Sequence, residues 1–186
     1  LNLTSGPFGQ HNIRTYIPYD ASIYMEFNDS STLDPYFSFL GGDFFTLVES
    51  LRGKIQSFCA VFYMKKGITS GDWVVLTFPI DKSMEIGDFK TISTDMVDDI
   101  LVISPELALI DDVKLAKAEV IKNISHHPAL VSASPLIPRD GQIFILKVSE
   151  DGNAVIGELG KTTLSSEFKS VLENFIKSDF PHMVIK

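Results

Sequence analysis

Few residues in this chain have the types and spacing that chemistry demands, and each has a plain structural alternative. Gly157-Glu158-Leu159-Gly160-Lys161-Thr162-Thr163 ends like a phosphate-binding loop, in which successive backbone N–H groups wrap the phosphates. The first glycine of that motif would fall where Val155 stands, so the segment reads as a strand-to-helix turn, with Gly160 relieving the backbone and Thr163 capping the helix. His126-His127 is the one histidine pair. Adjacent side chains on extended backbone point in opposite directions, whereas zinc needs convergent ligands, so no metal site is assigned. A solvated helix terminus, where a cationic histidine suits the dipole, is expected there instead. Asp98-Asp99 and Asp111-Asp112 are the densest carboxylate groups but lack the alternating spacing of a calcium loop, and read as solvated faces. Cys59 lies among Phe58, Ala60, Val61 and Phe62 and reads as a buried strand thiol; as the only cysteine it has no internal disulfide partner. No Gly-x-Ser-x-Gly elbow occurs, so no catalytic residue and no cofactor is assigned. An enzyme on this chain, a hydrolase or transferase, would need a site assembled from distant residues, with His126, His127 and Asp111 or Asp112 as contributors.

The aromatic residues are the remaining lead. Tyr36, Phe37, Phe39, Phe44 and Phe45 crowd one short segment with more large apolar side chains than a single helical face can bury. They are expected to form a surface for a protein partner or for self-association. The competing arrangement is a small-molecule pocket lined by Tyr36, Phe39, Phe44 and Trp73.

Composition narrows the class. The chain has 186 residues, 45% apolar and 22% charged, which is ordinary for a globular protein and enough for a substantial core. Its net charge of −8, with 16 dispersed Lys and Arg, argues against nucleic-acid binding, because phosphate neutralisation needs clustered basic residues. The longest apolar runs, such as Phe58 to Met64, are far shorter than the roughly 20 residues that span a bilayer. The chain begins at Leu1, so processing or trimming before that point is expected.

Residues 1–16 contain Ser5-Gly6-Pro7 and Gly9 and read as a loosely structured lead-in to a single domain over 17–186. Ile23, Met25 and Phe27 alternate with Tyr24 and Glu26, as in a strand with one buried face. Short helices are expected near Asp34 to Leu40 and from Asp43 to Leu51, and strands over Ile55 to Met64, Trp73 to Ile80 and Ile100 to Ile103. Ser104 as N-cap with Pro105 at the first helical position predicts a helix running to Ile124, with Val120 on its apolar face, ended by Pro128. The Pro-rich stretch 132–141 is the place for a subdivision. Ile143, Ile145 and Ala154, Ile156 flank Asp151-Gly152, which predicts a hairpin. Leu164, Phe168, Leu172 and Phe175 then recur at helical spacing, and Met183 to Ile185 reads as a last short strand. The order predicts an α+β fold: a mainly antiparallel sheet with two or three amphipathic helices packed on one face.

Two segments, Ile17-Pro18-Tyr19-Asp20-Ala21-Ser22-Ile23-Tyr24-Met25-Glu26-Phe27-Asn28 and Ile100 to Asp111 with Leu101-Val102-Ile103-Ser104-Pro105-Glu106, resemble a bacterial envelope family of unknown function. With the helical segment centred on Leu33 that follows the first of them, they cover roughly a fifth of the chain. The resemblance implies an extracytoplasmic protein, in the periplasm or at the cell surface, and carries no catalytic residue. The function expected is a noncatalytic binding or assembly domain of an exported or surface-associated bacterial protein.

Overall fold

The computed structural model describes residues 13–29, 42–64, 72–81, 83, 90–138 and 140–186, the side chains of 42–45 and 48 excepted. Among the described residues the strands are β1 (Ile23–Phe27), β2 (Ile55–Tyr63), β3 (Trp73–Pro79), β4 (Ser93–Val97), β5 (Ile100–Ser104), β6 (Ile143–Lys147) and β7 (His182–Ile185). They form one sheet in the order β4-β5-β3-β2-β1-β6-β7, and every neighbouring pair is antiparallel. Five α-helices accompany it among the described residues: α1 (Gly42–Leu51), α2 (Leu107–Lys117), α3 (Pro128–Ala133), α4 (Asp151–Leu159) and α5 (Ser166–Lys177). The α+β class and the antiparallel sheet are those the sequence predicts.

Three helices pack on one face. Leu47 and Leu51 of α1, Ile156 and Leu159 of α4, and Phe168, Leu172 and Phe175 of α5 bury against Ile23, Met25, Phe27, Val61 and Ile145. The opposite face is covered as well. There a 3-10 turn (Ile13–Tyr16), α2 and α3 bury Ile13, Tyr16, Ile110, Val113 and Leu130 against Tyr24, Phe62, Leu76, Val102 and Phe144. One-sided coverage therefore describes half of the arrangement. Covering both faces explains why all five residues of β1 are buried, including Tyr24 and Glu26, which the alternation placed toward solvent.

Four further expectations are corrected. Asp151-Gly152 is not a hairpin turn but the first turn of α4, and Ala154 and Ile156 are helical. Gly152 is there for close approach: a Cβ on it would lie 2.6 Å from the Ser22 carbonyl oxygen. The helix after β5 spans only Leu107–Lys117, because Glu119 takes a left-handed φ of 58° and the chain returns to pair with the approach to β1. The Tyr19 N–H donates to the Lys122 carbonyl at 2.9 Å, and the Ile124 N–H to Ile17 at 2.9 Å, leaving Val120 69% exposed. Ser104 ends β5 rather than capping the helix, with its hydroxyl donating to the Trp73 carbonyl and accepting from the Glu106 N–H. The helix α5 is capped by Ser165, which accepts from the Phe168 N–H, and not by Thr163. The segment after Pro79, without a predicted element, holds β4, which returns into β5 through Asp98 at φ 55°. Strands from both sides of 132–141 share the sheet, with β6 lying between β1 and β7.

Candidate functional site

A buried polar cluster takes one member, Arg14, from a segment read as a lead-in. The 3-10 turn Ile13–Tyr16 delivers Arg14 beneath α3. Its Nε and Nη2 donate to the two carboxylate oxygens of Glu26 at 2.6 and 3.1 Å, both side chains buried. The Tyr24 hydroxyl donates to Glu26 at 2.6 Å, and Arg14 Nη1 to the Ser134 hydroxyl at 3.1 Å, which in turn donates to the Leu130 carbonyl. Burial pulls the Arg14 pKa down, but Glu26 beside it more than compensates and holds the guanidinium charged. Burial raises the Tyr24 hydroxyl well above the ordinary tyrosine range. A bidentate Arg–carboxylate pair with a tyrosine on the same oxygen is fully occupied by its own members. It joins the first turn of the described chain, β1 and α3 into one unit.

Outside this network lies a cleft of about 320 Å³, lined by Tyr19, Asp20, Asp112, Ile121 and Lys122. The backbone pairing of Tyr19 with Lys122 brings its two walls together. Lys122 Nζ stands 5.9 Å from the centre of the Tyr19 ring, and the His127 ring lies 4.7 Å from it at a tilt of 48°. From His127 the surface continues along α3 and the 3-10 turn that follows it, Ser134–Leu136. Leu130 and Ala133 face the core, while Pro128, Val131, Pro135 and Leu136 face outward, Val131 at 56% and Leu136 at 67% exposure. Cleft and ridge thus meet at the Tyr19–His127 contact, and the cleft carries the cation Lys122 beside its two carboxylates.

The residues singled out in the sequence fall as follows. Tyr36, Phe37 and Phe39 lie outside the described residues; Phe44 and Phe45 belong to α1 by backbone, and their side chains lie outside the description. Trp73 is buried in β3. Cys59 is buried in the sheet as expected, and burial pushes its thiol far above the ordinary range, away from nucleophilic use. His126 is exposed, while His127 is the N-cap of α3, its Nδ1 accepting from the Ala129 N–H at 3.3 Å. That reverses the polarity expected for this pair: His127 sits where a helix begins, and desolvation lowers its pKa. Asp111 pairs with Lys114 at 3.2 Å, and Asp98 accepts from the Tyr16 hydroxyl at 2.9 Å with Lys117 at 3.7 Å. Asp112 lines the cleft. Among the described residues no three His, Cys, Asp or Glu side chains converge as metal ligands, and no helix is long and apolar enough to cross a membrane.

Tyr19, Asp20 and the α3 ridge were missed. Tyr19 and Asp20 precede a strand and carry no motif. Val131 follows Pro128, which read as the end of a helix, and Leu136 lies in the stretch 132–141, whose prolines read as a boundary. No family model, curated protein or solved structure matches the chain.

Proposed function

We propose that the chain is a noncatalytic binding or assembly domain of an exported or surface-associated bacterial protein, and that it binds through the Tyr19 cleft and the α3 ridge. The observation that supports this is the contrast across one face. Beneath α3, the buried polar groups are occupied by one another; above it, Val131 and Leu136 stand exposed beside an aromatic cleft flanked by Asp20 and Asp112. An exposed aliphatic ridge beside a cleft of mixed charge, with Asp20 and Lys122 in its lining, suits a protein segment carrying aliphatic and polar side chains.

Val131→Asp combined with Leu136→Asp alters only outward-facing positions and should leave the thermal midpoint within a few degrees of wild type. Crosslinking in cell-envelope extract should then show loss of the partner that wild type captures. Equal capture by the double variant would remove the ridge as the binding surface, and capture that fails only when Tyr36, Phe37 and Phe39 are replaced would move it to the aromatic segment. Export is supported by the resemblance of the segments that form β1 and the β5-to-α2 step; fractionation that finds the native protein in the cytoplasm overturns it.

A further inference from the structure

The two edges of the sheet differ. On β4, Asp95 pairs with Lys114 at 2.8 Å, a charged edge of the kind that resists further pairing. The other edge, β7, is His182-Met183-Val184-Ile185, with no acidic residue, lysine or arginine. Its register against β6 pairs Met183 with Ile145 and Ile185 with Ile143, and the Lys147 N–H donates to the Pro181 carbonyl at 2.8 Å. The alternation of an antiparallel ladder therefore turns the backbone groups of Pro181, Met183 and Ile185 toward β6, and those of His182 and Val184 outward. Among the described residues no strand lies beyond them. Pro181 lacks an N–H, but at a position that faces inward, so the outer edge loses no donor to it.

We propose that this edge pairs with the same edge of a second copy of the chain, antiparallel, across a two-fold axis at Met183. In that register His182 of each copy faces Val184 of the other, and each of these pairs exchanges both of its backbone hydrogen bonds. Charge complementarity selects a second copy. Exposed Asp179 and Phe180 precede the strand, Phe180 at 70%, and exposed Lys186, whose ammonium pairs with Asp140 of its own chain at 3.0 Å, follows it. Antiparallel pairing sets Lys186 of one copy opposite Phe180 and beside Asp179 of the other, at both ends, so that each Lys186 lies between Asp140 of its own copy and Asp179 of its partner, and no two strand residues of like charge oppose each other. An arbitrary extended peptide would have to supply that pattern by chance.

The inference names one partner within the assembly reading above and uses a different surface, so Val131→Asp with Leu136→Asp should leave it intact. Sedimentation of wild type from about 1 µM to 1 mM, the range suited to a short contact, should show the mass rising from monomer to dimer. Val184→Pro removes an outward donor, together with part of the packing that Val184 makes against the core, and should remain monomeric throughout. Lys186→Glu, which brings like charges together, should weaken the dimer at least tenfold, and adding Asp179→Lys should restore it without depending on how proline is tolerated. A wild type that is monomeric to 1 mM overturns the proposal, even if it binds a strand-forming peptide. So does a dimer indifferent to both Val184→Pro and the charge exchange.

Discussion

At the scale of single residues, the Arg14–Glu26–Tyr24 group is a place where one substitution should be costly. Removing one member of a buried ion pair leaves the other desolvated and alone, which costs about 3–5 kcal/mol, whereas replacing both by apolar groups of similar size is often neutral. Glu26→Gln should therefore lower the unfolding free energy by about 3 kcal/mol or more in urea titration, and Arg14→Met with Glu26→Leu and Tyr24→Phe, which also removes the hydroxyl that Glu26 accepts, should recover most of that loss. A triple variant as unstable as the single one would show that the group does more than satisfy itself. Gly152→Ala should also destabilise, since its Cβ would meet a backbone oxygen that cannot swing away. None of these roles was legible. Glu26 sits at a position whose alternation points to solvent, and only the helices on the second face, supplied by residues far along the chain, make it interior. Arg14 follows a Gly- and Pro-containing stretch that gives no periodicity.

Elements were legible where local pattern and tertiary packing agree. The spacing of Phe168, Leu172 and Phe175 made α5 readable, and β5 was readable as a continuous apolar run bounded by turn residues. Sequence reasoning failed at α4, where a strong hairpin dipeptide was overridden by packing against Ser22, and at α2, which stops early because its sequel pairs with Pro18 to Tyr19. The same competition places His127 at the start of α3, and this gives a pH dependence. Its pKa is depressed below the ordinary 6.5, so the folded state binds its proton less readily than the unfolded chain. The stability it contributes is present above about pH 6.5 and is lost as pH falls through the folded value. His127→Asn keeps a capping acceptor and should flatten the fall in thermal midpoint between about pH 7 and pH 5, while His127→Ala should lose about 1 kcal/mol at neutral pH. An identical pH profile for wild type and His127→Asn would exclude this histidine as the titrating group.

At the scale of the molecule, the sheet ties together parts that the sequence allowed to be separate. The stretch 132–141 has the composition of a boundary, yet the strand that follows it, β6, inserts beside β1, and β1 is flanked by β2 on its other side. Residues 143–186 consequently have no sheet of their own: without β1, β6 and β7 would be a lone antiparallel pair, which is marginal in water. Arg14 adds a second tie, reaching from the start of the described chain to Ser134 within the same stretch. Unfolding should accordingly be a single cooperative transition. Trp73, buried in β3 on the early side of that stretch, makes this testable without a label. Its fluorescence should change at the same urea concentration as the far-ultraviolet circular dichroism, to which α4 and α5 contribute from the late side. Helix signal lost at lower urea than the Trp73 signal would mean that residues 143–186 open as their own unit, and that pairing with β1 is too weak to make the sheet one cooperative body.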